Sequence, residues 1–207
     1  MGRRRGKGRN WNVEHRTDAY VQKAATQGLR ARSAFKLEEI DRRDRLFEGV
    51  TSVVDLGAAP GAWSEYARDA IEPNGAVFAL DLLEMTPIND VTFIQGDCRD
   101  EGVLAALESA IGTGKIDLVL SDMAPNMGGI RVTDQARSMD LAELAAEFAT
   151  RILRPGGDFL VKLFQGSGVE EYMKMLRSTY DKVLIRKPDA SRSRSREFYA
   201  LARGYRV

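Results

Sequence analysis

Short aliphatic and β-branched runs recur along the middle of the chain, at Ser52–Leu56, 76–82, Val91–Gln95, Ile116–Ser121 and 158–164. Each has the length and near-continuous apolar character of a strand buried on both faces of a parallel sheet. Two further strand-like runs, 182–186 and 196–201, close the sequence. Helical candidates lie between the runs. In residues 134–153, Leu141, Leu144, Ala145, Phe148 and Ile152 recur at helical spacing, and Arg154-Pro155-Gly156-Gly157 stops the pattern. Residues 31–46 read as another helix ahead of the first strand. The alternation predicts an α/β protein: a seven-stranded, mostly parallel, doubly wound sheet with helices on both faces and right-handed crossovers. In such sheets ligands bind beyond the carboxyl ends of the strands, near the point where the strand order reverses.

The residues ending each run therefore carry the chemical reading. The first ends Asp55-Leu56-Gly57-Ala58-Ala59-Pro60-Gly61-Ala62-Trp63, a glycine turn that lets a ligand approach the backbone. It is not the G-x-G-x-x-G of dinucleotide binding, and no phosphate-cradling G-x-x-x-x-G-K-[ST] occurs. The second ends in Asp81, placed roughly 20 residues after the glycines as suits paired ribose hydroxyls. The third ends Gly96-Asp97-Cys98, and the fourth Ser121-Asp122-Met123-Ala124-Pro125-Asn126. One aspartate after a strand is ordinarily a helix cap or turn residue, but four in series are a much stronger signal. Lys162 stands inside the fifth apolar run, where an ammonium must reach a carboxylate, extend to water, or bind its proton less tightly. Asp122, at a neighbouring strand end, is its natural partner.

Composition and charge bound the class. The chain has 207 residues, 43% of them hydrophobic, enough for one sizeable core. Cys98 is the single cysteine and His15 the single histidine, so neither a disulfide framework nor a Cys/His zinc site is expected, and no metal is assigned. No apolar run approaches the ~20 residues of a membrane helix, and the basic N-terminus lacks the apolar core of a secretory signal. A cytoplasmic protein is expected. The overall net charge of +1 conceals an asymmetry: residues 1–45 carry a net of +7 and the remainder a net of −6. Residues 1–10 hold Arg3, Arg4, Arg5, Lys7 and Arg9 among glycines, and 182–196 hold six basic residues against Asp189 alone. Two basic segments around an acidic body suit a bound polyanion. The expected organisation is a basic, partly flexible arm over residues 1–30 and a single domain over 31–207.

Taken in order, Val54-Asp55-Leu56-Gly57-Ala58-Ala59-Pro60-Gly61, Ser121-Asp122-Met123-Ala124-Pro125-Asn126, Val161-Lys162-Leu163-Phe164-Gln165-Gly166 and Ser195-Arg196-Glu197 resemble the FtsJ/RrmJ (RlmE) family. Gly28-Leu29-Arg30-Ala31-Arg32-Ser33-Ala34-Phe35-Lys36-Leu37 is similar to that family as well. Its members are S-adenosylmethionine-dependent ribose 2′-O-methyltransferases of ribosomal RNA, with a Rossmann-like fold. The resemblance implies S-adenosyl-L-methionine as cofactor, with Gly61 and Trp63 around its methionine part, Asp81 on the adenosine ribose and Asp97 near the adenine amino group. Asp55 and Gly57 belong to the same cofactor loop, and Asp122 borders the reacting centre. Lys36, Asp122, Lys162 and Glu197 match the family's catalytic tetrad. Ala62 departs from the second glycine often found there, which matters only if that residue needs positive φ.

Without the resemblance, Lys36 would pair with Glu39 on a helix surface, Glu197 would balance neighbouring arginines, and Trp63 would suit the core equally well. Cys98 reads as a small buried hydrophobe. The fourth strand lacks the Pro-Pro-aromatic of exocyclic-amine methyltransferases, and Cys98 is not placed as a pyrimidine carbon-5 nucleophile. A ribose hydroxyl fits best. The implied substrate is a uridine in the A-loop of large-subunit (23S) ribosomal RNA, modified in the assembled subunit by a monomeric enzyme with no membrane partner. Transfer RNA is the alternative acceptor, and a non-catalytic ribosome-assembly factor retaining the fold is the alternative class.

Overall fold

The computed structural model describes residues 18–192 and 195–207. The basic segment 1–10 and His15 lie outside the described residues. Thirteen elements follow one another: α1 (Ala19–Thr26), α2 (Ala34–Asp44), β1 (Ser52–Leu56), α3 (Ala62–Ala70), β2 (Ala76–Asp81), β3 (Val91–Gln95), α4 (Glu101–Ile111), β4 (Ile116–Ser121), α5 (Arg131–Ile152), β5 (Leu153–Phe164), α6 (Val169–Thr179), β6 (Tyr180–Arg186) and β7 (Glu197–Tyr205). The seven strands form one sheet in the order β3-β2-β1-β4-β5-β7-β6. β1 to β5 run parallel, and β7 inserts antiparallel between β5 and β6.

Strand alternation splits the core in two. Val54, Leu56, Val119, Phe159 and Val161 face α4, α5 and α6, where Leu107, Phe148 and Leu176 pack against them. Val53, Leu118, Leu120 and Leu160 point the other way, onto Leu37 and Ile40 of α2 and Trp63 and Ala67 of α3. Apolar residues are thus needed at consecutive positions, which accounts for the unbroken runs. The order reverses between β1 and β4, so the cleft expected at the switch point opens above Leu56 and Ser121.

Several boundaries differ from the periodicity. α5 begins at Arg131 rather than 134, because the Asp134 carboxylate turns back to accept the backbone N–H groups of Gly128 (2.8 Å) and Gly129 (2.9 Å). Arg154-Pro155-Gly156-Gly157 does end the helix, but within β5: pairing jumps from Ile116↔Leu153 to Leu118↔Asp158, so these four residues bulge out of the strand. α2 is shorter than residues 31–46 and stops at Arg45, whose φ is 51°. Within the expected arm, α1 is folded, capped by the Asp18 side chain on the Tyr20 N–H, with Ala24 buried against Phe35 and Ala190. Among the described residues no helix is long and apolar enough to cross a membrane.

Candidate active site

Residues at the ends of six strands and on one helix build the site. Lys162 is 8% exposed near the end of β5, and its Nζ donates to the backbone carbonyl of Asp122 and, at 3.0 Å, to Asp122 Oδ1. The pairing expected from neighbouring strand ends is therefore present. Antiparallel register sets Tyr199 opposite Lys162 and Glu197 opposite Phe164. Residues two apart on a strand share a face, so Glu197 and Tyr199 point to the same side as Lys162. That side is covered by α2, from which Lys36, also 8% exposed, reaches Glu197 at 2.5 Å. The four tetrad residues come together as two ion pairs.

Tyr199, which sequence reading overlooked, joins the two pairs. Its hydroxyl donates to Asp122 Oδ1 at 2.7 Å, and the Lys36 ammonium lies 5.8 Å from its ring centroid. Its spacing of two from Glu197 was the available signal. Burial and the Asp122 charge push the Tyr199 phenol well up, so it remains a donor. Burial alone would raise the Asp122 carboxyl, but the Lys162 and Lys36 charges and the Tyr199 hydrogen bond prevail and hold it below its ordinary value. Glu197 follows the same logic: burial raises it, and the Lys36 charge and hydrogen bond carry it below.

Asp122 also lines a cleft of about 520 Å³ with Gly57, Ala59, Asp81, Gly96, Asp97, Cys98 and Met123. Asp81 Oδ2 accepts the Ala59 N–H at 2.9 Å and Oδ1 the Leu83 N–H at 2.7 Å, which stiffens the loop after β1. Asp97 Oδ1 accepts the Arg99 N–H at 2.9 Å. Two carboxylates in one wall suit a ligand offering hydroxyl or amine donors. Gly57 has φ 80°, and a Cβ there would come within 2.6 Å of Met123 Cγ. Gly61 has φ 103°, and its Cβ would meet Ile88 Cδ1 and Met85 Sδ at 2.8 Å. Both glycines are required by conformation and by space. Ala62 is the first helical residue of α3 and has no positive φ, so its methyl group is tolerated.

Three residues expected at the cofactor, Asp55, Gly61 and Trp63, are buried and do not line the cleft. Trp63 is 2% exposed, packs against Tyr199 with ring centroids 5.6 Å apart and planes tilted by 40°, and donates its indole N–H to the Ser33 carbonyl at 2.8 Å. Its bulk and polar edge are both satisfied within the core between α2 and β7. Asp55 is fully buried beneath the loop; Oδ2 accepts the Ser64 hydroxyl at 2.6 Å and Oδ1 has no partner. Burial, together with the Asp122 and Asp81 charges, pushes its carboxyl up to about 7 despite the Ser64 hydrogen bond. Cys98 is half-buried with its thiol pushed up by burial and by Asp97, and touches Met123 Sδ at 3.6 Å. Arg30 is a second residue the sequence did not single out. Its guanidinium binds Glu65 (3.2 Å) and the carbonyls of Thr86 (2.9 Å), Pro87 (3.1 Å) and Pro60 (3.4 Å), fastening the cofactor loop to the 85–88 segment. Among the described residues no group of His, Cys, Asp and Glu is arranged to hold a metal ion.

Known proteins resemble this chain in both sequence and fold. A protein named ribosomal RNA large subunit methyltransferase E from Stenotrophomonas maltophilia is 52% identical over 207 residues, covering 100% of this chain and 99% of its own. A Pseudomonas aeruginosa protein of the same name is 53% identical over 196 residues, 95% of each chain. Among solved structures, a Plasmodium falciparum protein assigned as a ribosomal RNA methyltransferase superposes with a TM-score of 0.76 at 27% identity, covering 85% of this chain and 98% of its own. A Streptococcus mutans protein assigned as a methyltransferase, solved with S-adenosylhomocysteine, shares the fold at TM-score 0.52 and 13% identity, over 80% of this chain and 97% of its own. With the FtsJ-like methyltransferase model matching residues 29–205, nearly everything from the Arg30 clamp to β7, the chain belongs to the FtsJ-like methyltransferase family.

Proposed function

We propose that this protein transfers a methyl group from S-adenosyl-L-methionine to a ribose 2′-hydroxyl of large-subunit ribosomal RNA. The acceptor is a uridine of the A-loop, presented by the assembled subunit to a monomeric, cytoplasmic enzyme. The observation that carries this reading is the buried Lys162–Asp122 pair, set at the mouth of the carboxylate-lined cleft and joined through Tyr199 to Lys36–Glu197. The names of the relatives at 52% and 53% identity support the ribosomal substrate.

S-adenosylmethionine supplies a methyl group activated on a sulfonium. The residues of the cleft fit it: Asp81 suits the ribose hydroxyls, Asp97 the adenine amino group, and Gly57 and Gly61 let the loop pack closely on Met123, Met85 and Ile88. Asp55 and Trp63 support that loop and the tetrad from beneath. Lys162 already makes two contacts to Asp122, which leaves its third N–H direction for the acceptor oxygen. It holds the 2′-oxygen in line, a positioning effect that can be worth ~7–11 kcal/mol of barrier. As the methyl carbon–oxygen bond formed and the carbon–sulfur bond of the sulfonium broke to leave a neutral thioether, Lys162 would hand a proton to the Asp122 carboxylate and take the hydroxyl proton in its place. Lys36 and Glu197 fix the partner strand and lower the charge cost of the pair.

The test offers purified protein methyl-labelled S-adenosylmethionine with under-methylated large subunits, the same RNA stripped of protein, and bulk transfer RNA, then digests each to nucleosides. Label in a 2′-O-methyluridine from the subunit is the expected result. Label only in transfer RNA would reverse the substrate, and no label with cofactor bound would favour an assembly factor.

A further inference from the structure

The basic stretch 182–196 is only partly committed to the fold. Arg186 forms a two-pronged ion pair with Asp44, 2.6 Å on each prong, and Arg196 reaches the Gln165 carbonyl at 3.1 Å. Lys187 and Arg192 are placed differently. With Arg32, Tyr20 and Asp18 they line a second cavity, of about 450 Å³, between the start of α1 and the 187–192 loop. It shares no lining residue with the cofactor cleft.

Its chemistry is that of a site for an anion carrying an aromatic ring. Arg32 and Arg192 divide a single carboxylate, Asp18, the latter at 3.4 Å, while Asp18 also caps α1. Among the described residues, Lys187 makes a single 3.2 Å contact, to the Ser195 carbonyl. Burial and then the Arg192 charge weaken the proton affinity of Arg32, so the two guanidiniums repel one another across Asp18, with Asp189 the other acidic residue of the cavity wall. An incoming anion relieves that repulsion. Tyr20 supplies an aromatic wall, backed by Phe35 at 5.7 Å between ring centroids. Arg32, in the cavity wall, interacts electrostatically with Glu197 and Tyr199 of the tetrad cluster.

We propose that this second cavity holds one ribonucleotide of the acceptor RNA next to the methylated one, its phosphate on Lys187, Arg192 and Arg32 and its base against Tyr20. The inference rests on the reading of the protein as an RNA methyltransferase and adds to it a named contact for a flanking nucleotide. A phosphate contact contributes affinity and salt dependence, and base–aromatic stacking contributes ~1–3 kcal/mol per base, with neither entering the chemical step.

The experiment uses the full chain with Lys187→Ala, Tyr20→Ala and, as a matched control, Lys115→Ala just before the amino end of the central strand β4, away from both cavities. Filter binding of under-methylated large subunits over a salt series is combined with steady-state methyl transfer and cofactor titration. Lys187→Ala should weaken subunit binding about threefold to tenfold and reduce the salt slope by about one. Tyr20→Ala should weaken binding about tenfold at an unchanged slope. Both should keep kcat at saturating subunits within about twofold and cofactor affinity unchanged, and Lys115→Ala should match wild type. Wild-type binding and slope in both cavity variants would overturn the proposal, as would a parallel loss of cofactor binding, which would make the cavity a structural strut. If wild type binds subunits through Lys187 but methylates no RNA, the cavity stands and the catalytic reading falls. If wild type binds no RNA, both fall.

Discussion

Asp55 offers a quantitative test of how the site is built. Its carboxyl is fully buried, has one oxygen without a partner, and is pushed from 3.8 to about 7. At about 1.4 kcal/mol per pH unit, that difference costs the folded state about 4 kcal/mol at alkaline pH. The sign follows from the direction of the shift. The folded protein retains a proton that the unfolded chain releases, so the cost is absent below the unfolded value. It grows as pH rises from about 4 to about 7 and is constant above that. At pH 5 it amounts to about 1.5 kcal/mol and at pH 8.5 to about 4. Asp55→Asn keeps an acceptor for Ser64 and removes the ionisation, at a price of ~1–3 kcal/mol for an amide N–H facing the unpartnered position. That price is the same at both pH values. The stability of Asp55→Asn relative to wild type should therefore improve by about 2–3 kcal/mol between pH 5 and pH 8.5. Urea unfolding of both proteins at both pH values measures it, as a relative midpoint change of about 1 M for an m-value near 2–3 kcal/mol/M. Parallel pH dependence of the two proteins would refute the assignment of a neutral, strained carboxyl beneath the loop.

Other residues give complementary outcomes. Lys162→Ala should reduce methyl transfer by at least about a hundredfold while cofactor affinity, read by calorimetry, stays within a few-fold; near-normal turnover would remove Lys162 from the mechanism. Arg30→Ala cuts the bonds from α3 to Pro60, Thr86 and Pro87, and should raise the KM for S-adenosylmethionine several-fold with a smaller change in kcat. An unchanged KM would show the cofactor loop to be self-supporting. Trp63→Phe retains an aromatic ring against Tyr199 but strands the Ser33 carbonyl, and should lower stability by ~1–3 kcal/mol with cofactor affinity within about twofold; a large affinity loss at unchanged stability would return Trp63 to the cofactor.

The strands were legible because burial on both faces leaves an unbroken apolar signature, and their carboxyl ends located the cleft. Lys162 and Asp122 could be paired because they end adjacent strands. Lys36 and Glu197 could not. Their contact depends on the β5–β7 register and on the rotation of α2 over it, neither of which is encoded in local spacing, so only the family resemblance brought them together. Trp63 shows the converse. A position in a conserved-looking motif says which loop a residue leaves, whereas the rotation of α3 decides that its indole enters the core. The start of α5 and the bulge in β5 escaped for a related reason: the Asp134 carboxylate and the Leu153–Asp158 register offset act across residues that periodicity treats separately.

Four carboxyls surround one cleft, and each is stabilised differently. Asp122 has Lys162, the field of Lys36 and a tyrosine hydroxyl. Asp81 has two backbone N–H groups. Asp97 has one, with the exposed Arg99 guanidinium at 3.6 Å. Asp55 has no cation and one hydroxyl, and resolves the conflict by holding a proton. Of these four, Asp122 alone is paired with a buried ammonium. A protein needing these aspartates merely as strand-end caps would have no reason to bury Lys36 and Lys162 under the same face, where each lost partner leaves an uncompensated charge.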